Sequence, residues 1–139
     1  MKFTKQSDNE YFGRFEENED LKQALLELCK TENIQSGWFT IIGAVKNSEI
    51  AFYDQDQGKY LNMALDEHAE IINCTGNVSL NEGEPFVHMH ATLADREGRA
   101  YGGHVTRAKV FAAEFYIKKF DKPVERRKDE SIGLGLLEP

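Results

Sequence analysis

The chain has 139 residues, 40% of them apolar and 29% charged, enough for one hydrophobic core in a single ordered domain. Its formal net charge of −7 opposes general attraction to phosphate backbones or anionic membrane surfaces. The start, MKFTKQSDNEYFG, lacks the apolar stretch of a secretory signal, and runs such as WFTIIGAV are too short to span a bilayer, so a cytoplasmic location is expected.

The first clear element is a helix in NEDLKQALLELCKTENI. Leu21, Ala24, Leu25, Leu28 and Cys29 recur at the spacing of a one-sided apolar stripe. Asn18 is placed to cap it, and Glu19 and Asp20 suit the positive end of the helix dipole. Cys29 and Cys74 are far apart, form no CxxC pair and lie in apolar patterns, which predicts buried reduced thiols.

Most of the chain beyond the helix reads as strand. WFTIIGAV is β-branched and aromatic, with Lys46-Asn47-Ser48 as a turn before EIAFYD. Residues 54–58, DQDQG, form a second turn into Lys59-Tyr60-Leu61. HAEIINCTGNVSL alternates as a long strand broken near Gly76. FVHMHATLA and RAYGGHVT flank a tight connection, and the aromatic content of AKVFAAEFYIKK favours strand. DKPVERRKDESIGLGLL is expected to be a charged loop with a short apolar end. The sum is one α+β domain over residues 1–139, mainly an antiparallel sheet with one principal amphipathic helix.

Three of the four histidines fall between residues 85 and 105, in PFVHMHATLADREGRAYGGHV. On an extended strand His88 and His90 project from the same face, with Cα atoms roughly 6.5–7 Å apart. If Arg96-Glu97-Gly98 is a three-residue hairpin loop, with Gly98 left-handed, Asp95 pairs with Arg99 and Thr92 with Gly102. His90 then sits directly opposite His104. A loop of two or four residues would reverse the parity and send His104 to the other face. Gly102 and Gly103 would clear space beside the imidazoles or permit close backbone approach.

Three neutral imidazoles with an open fourth position suit catalytic-type zinc, and also nickel, copper or iron. Thr92, Thr106 and Glu114 are candidate outer partners, and Arg107 could bring a positive charge. The plain alternative is an exposed polar stripe. His68 stands alone and is read as a surface or loop residue. A cupin arrangement fits poorly, because the acids after His90, Asp95 and Glu97, fall in the turn. A calcium loop in DQDQGK fails because Gly58 is fifth instead of sixth and Leu65 stands where a glutamate is required. Gly133-Leu134-Gly135 lacks the lysine of a phosphate loop, and there is no GxSxG.

IQSGWFTIIGAV, AEIINCTGNVSL, EPFVHMHATLADREGRAYGGHV and AAEFYI with VERRKDESIGLGLL occur in an order that resembles the plants-and-prokaryotes-conserved (PPC) domain in its stand-alone prokaryotic form. The HxH…GGH element is the specific part. The resemblance implies a compact α+β fold with a mainly antiparallel sheet, assembled as a homotrimer. It also points to His88, His90 and His104 as a polar cluster that holds a metal. Plant relatives carry an AT-hook, and prokaryotic members are called DNA-binding by that analogy.

An AT-hook needs an Arg-Gly-Arg core, and Gly98-Arg99-Ala100 is the nearest approach here. The basic residues Lys118, Lys119, Lys122, Arg126, Arg127 and Lys128 are interleaved with acids, as in a solvated loop. Direct nucleic-acid binding is therefore not expected. The sequence favours a small binding or regulatory protein whose histidine cleft takes a metal, zinc foremost, or a small ligand. The alternative is a metal-dependent enzyme acting on a small acidic molecule, with Glu114 or Asp95 as base.

Overall fold

The apolar stripe forms the expected helix, α1 (Leu21–Thr31), which buries Leu21, Leu25, Leu28 and Cys29. The cap is Asp20, however, and not Asn18. One carboxylate oxygen of Asp20 accepts from the amides of Lys22 and Gln23 at 3.0 and 3.1 Å, and the other accepts from Ala108 at 3.1 Å. Asn18 instead takes a left-handed turn (φ 71°), two residues before the cap. In this computed structural model, which describes residues 1–138, nine strands accompany the helix.

The strands are β1 (Lys2–Ser7), β2 (Glu10–Arg14), β3 (Gly37–Asp54), β4 (Lys59–Leu65), β5 (Ala69–Asn81), β6 (Glu84–Ala94), β7 (Ala100–Lys119), β8 (Glu125–Asp129) and β9 (Leu134–Glu138). All pairs are antiparallel except β5 with β8. β3 pairs β5, β5 pairs β6, β6 pairs β7 and β7 returns to β3, so four strands close into a ring. Helix α1 packs on β6 and β7. Phe39, Ile41, Cys74, Val87, Met89, Val105, Phe115 and Ile117 fill the core that these elements share. Among the described residues, no helix is long and apolar enough to cross a membrane.

Several expected boundaries move. Lys46-Asn47-Ser48 is no turn, since β3 runs through it and takes up the irregularity in register shifts against β7. The strand stays continuous because Val45 and Ile50 both reach the core, and because Lys46 extends sideways to the side chains of Glu17 and Asn18. β5 likewise continues through Gly76. A Cβ there would lie 2.2 Å from the carbonyl oxygen of His88 and 2.5 Å from the Phe39 ring, so this glycine marks close packing rather than a break.

From Ala100 onward RAYGGHVT runs on into AKVFAAEFYIKK as one 20-residue strand. The tail contains the hairpin β8–β9, attached to β5 through Leu80–Glu125 and Asn81–Arg126. The N-terminal hairpin β1–β2, which lies outside every element expected from the sequence, pairs with the end of β7.

Candidate metal centre

β6 shows the alternation its sequence requires. Val87, Met89, Ala91 and Leu93 face the core, while Phe86, His88, His90 and Thr92 lie on the opposite face. The turn after it has the three-residue form: Asp95 N donates to Arg99 O at 3.0 Å, and Gly98 is left-handed at φ 77°. The register is the one this turn dictates, with Thr92 opposite Gly102 and His90 opposite His104. β3 lies on the other side of β7, where Ala51 partners His104. A Cβ on Gly103 would lie 2.7 Å from the Ala51 carbonyl oxygen, so the missing side chain is what lets β3 approach here.

The three imidazoles meet. Ring centroids are 5.1 Å apart for His88 and His90, 5.2 Å for His88 and His104, and 5.6 Å for His90 and His104. One ring nitrogen from each lies within 4.8 Å of the others. His90 is exposed and the other two are half-buried. Burial pushes the His88 imidazole down to about 4, with help from the charges of Arg126, His90 and Lys22. Burial also pushes His104 down to about 4, with His88, Lys22 and His90 acting in the same direction. These two rings are therefore neutral at pH 7, the state that binds metals. His104 Nδ1 is buried with no hydrogen-bond partner among the described residues. Three imidazoles that each bring a ring nitrogen within 4.8 Å of the others fit a cation of the zinc type in both chemistry and placement.

The histidines form one wall of a cleft of about 940 Å³. Its other sides come from β3 and β4 (Tyr53, Tyr60), β5 (Asn77) and the tail hairpin with its approach (Arg126, Gly133 to Leu137). The Tyr60 ring lies 5.3 Å from the His104 ring.

The remaining sequence candidates take varied positions. Gly103 lines the cleft, whereas Gly102 and Thr92 pair with each other just beyond it. Thr106 falls at the bulge where β7 slips against β3, and it is exposed. Arg107, expected to bring positive charge to the histidines, instead faces Glu49 at 3.8 Å. Glu114 pairs with Arg14 and Ile42 and lines a different hollow with Phe111 and Glu16. Asp95 is occupied in its turn by Arg99 at 2.8 Å, and His68 borders a separate hollow beside Leu65 and Tyr101.

The cation that does reach the cleft is Arg126, which belongs to the stretch expected to be a charged loop. Only the long-range pairing of β8 with β5 brings it there, and no local signal announces such a pairing. Cys29 and Cys74 are buried and unpaired, and burial pushes both thiols up to about 12.

The sequence profile of the Plants and Prokaryotes Conserved (PCC) domain matches residues 2–121. Among curated proteins, a bifunctional protein GlmU from Synechococcus sp. (strain JA-2-3B'a(2-13)) is 31% identical over 119 residues, covering 83% of the chain but 18% of that relative. The chain thus spans less than a fifth of that curated relative. Among solved structures, the metal-containing protein AF0104 from Archaeoglobus fulgidus superposes with a TM-score of 0.90 at 32% identity, covering 100% of this chain and 99% of that one. A candidate DNA-binding protein from Bacteroides thetaiotaomicron superposes with a TM-score of 0.94 at 26% identity, over 99% and 96% of the two chains.

Proposed function

The chain belongs to the Plants and Prokaryotes Conserved domain family, and from that premise we propose that it is a small cytoplasmic binding module whose His88, His90 and His104 hold one divalent transition metal, zinc being the expected ion. The observation that carries this is the convergence of one ring nitrogen from each of His88, His90 and His104 to within 4.8 Å of one another. The likeness to a metal-containing protein over essentially the whole chain supports it. Bound there, the ion would supply a Lewis-acidic centre open towards the cleft.

Binding is favoured over catalysis by the composition of the cleft. Among the described residues no Asp or Glu lines it, and the two acids that an enzyme reading requires, Glu114 and Asp95, lie elsewhere. One cation in the cleft, Arg126, keeps the enzyme alternative on a small acidic molecule open to test.

A homotrimer is the assembly we propose. Trp38 and Ile42 of β3 and Phe111 of β7 are 48%, 57% and 56% exposed on the outward face of adjacent strands, an apolar patch of the kind that subunit contact covers. We do not expect the chain to bind DNA directly. Lys118, Arg127 and Lys128 pair with Glu10, Glu138 and Glu130, and the formal net charge is −7.

The deciding experiment is elemental mass spectrometry on protein purified without a histidine tag, for wild type and His90→Ala. The reading requires near-stoichiometric metal in the wild type and its loss in the variant. Metal-free protein that also ignores added zinc, nickel and copper would refute it.

A further inference from the structure

Arg126 is placed unusually for a surface strand residue. Its side chain enters the cleft from β8, and its guanidinium carbon sits 5.0 Å from the centroid of the Phe86 ring. Nε donates to Ser79 Oγ, one terminal nitrogen to the Gly135 carbonyl and the other to Asn77 Oδ1, each at 2.8 Å. A guanidinium has five N–H donors, so one on each terminal nitrogen has no partner among the described residues. All three acceptors are neutral, and no carboxylate lies within ion-pair distance of Arg126 among the described residues. The neighbouring Arg127 and Lys128 both have such acids.

A partly buried cation fixed by three neutral hydrogen bonds and an aromatic face is held in position with no carboxylate paired to it among the described residues. It is also fixed beside the histidines. Asn77, which holds one terminal nitrogen, is the direct strand partner of His88. The rest of the cleft is largely apolar, with Tyr53, Tyr60, Leu134 and Leu136 among its walls. Its volume of about 940 Å³ lies within the range that encloses a small organic molecule.

We propose that this cleft binds a small organic oxyanion, a carboxylate or phosphate carried on an apolar or aromatic body, with the head group between Arg126 and the histidine-held metal. This deepens the metal-site reading and rests on it for one of the two head-group contacts. Arg126 supplies the other through its spare N–H donors, a charge-assisted contact that a neutral isostere of the ligand lacks. The aromatic and aliphatic walls take the body.

The test is isothermal titration with phenylacetate, phenyl phosphate and the neutral analogue phenylacetamide. Wild type, Arg126→Gln and Arg126→Lys are each titrated as metal-loaded and as chelator-stripped protein, with bound metal measured in every sample. Loaded wild type should bind one of the two anions at least about tenfold more tightly than the amide. Arg126→Gln should lose about tenfold or more, and Arg126→Lys should lose less. Whichever anion binds more tightly assigns the head group.

Equal binding of anions and amide overturns the proposal. So does a folded Arg126→Gln, judged by its thermal transition, that binds as wild type does, or the absence of binding by both anions. Should Arg126→Gln fail to fold, the anion-to-amide ratio on stripped wild type still decides, because the Arg126 contact persists without metal. A stripped or metal-free protein that still prefers the anion upholds the arginine subsite even if the metal reading fails. Stoichiometric metal with indifference to Arg126 does the reverse.

Discussion

His90 and His104 are direct partners across β6 and β7, with their rings 5.6 Å apart, in a register fixed by the three-residue turn that joins the two strands. Strand parity sets this relationship: one residue more or less in the Arg96-Glu97-Gly98 loop turns His104 into the core. Deleting Glu97 should therefore abolish metal binding even though no ligand is removed. Metal content of the purified variant is the check, and retained stoichiometric metal would contradict the account.

Gly103 and Gly102 should respond differently to alanine. A Cβ on Gly103 meets the Ala51 carbonyl oxygen at 2.7 Å, whereas on Gly102 the nearest atom is the Ala91 carbonyl oxygen at an ordinary 3.4 Å. Gly103→Ala should cost about 1–3 kcal/mol by forcing β3 from β7, and Gly102→Ala less than about 0.5 kcal/mol. Denaturant unfolding of the two variants separates them.

Metal-free protein should lose stability with acid in a defined window. Burial holds His88 and His104 down to about 4, against 6.5 for a free imidazole. Folded and unfolded chains bind the same protons at these sites well above pH 6.5, so neither histidine makes stability depend on pH there. Below it the unfolded chain binds more, and stability falls as pH drops from 6.5 towards about 4. Thermal midpoints across this range should decline, and His88→Gln should reduce the slope. A flat profile in wild type would contradict the burial argument.

The helix cap separates two neighbouring residues. Asp20→Ala removes the acceptor for the Lys22, Gln23 and Ala108 amides and should cost about 1–2 kcal/mol. Asn18→Gly keeps the left-handed turn at φ 71° and loses only the exposed contact from Lys46, which Glu17 still holds, so it should cost less than about 0.5 kcal/mol. Chemical denaturation of the pair tests the assignment.

These contrasts also show what the residues disclose by themselves. Local physics is legible: the one-sided stripe from Leu21 to Cys29, the alternation around His88 and His90, and a glycine at position 98 that demands one loop type and hence one register. The errors arise where tertiary pairing overrides local cues. Lys46-Asn47-Ser48 resembles a turn, yet β3 passes through it because Val45 and Ile50 are both needed inside. The polar segment from Glu125 to Asp129 has no hydrophobic pattern to reveal a strand, and only its short parallel pairing with β5 carries Arg126 to the cleft. Arg107 is the nearer arginine in sequence, but a bulge and Glu49 hold it on another surface.

The central claim, one metal on three histidines, is tested most directly by crystals of the untagged protein measured above and below the absorption edge of its metal. The account predicts a single anomalous peak bonded to His88, His90 and His104, at about 2.0–2.1 Å from each ring nitrogen if the ion is zinc. No peak there in metal-soaked crystals, or a peak held by other residues, would contradict it.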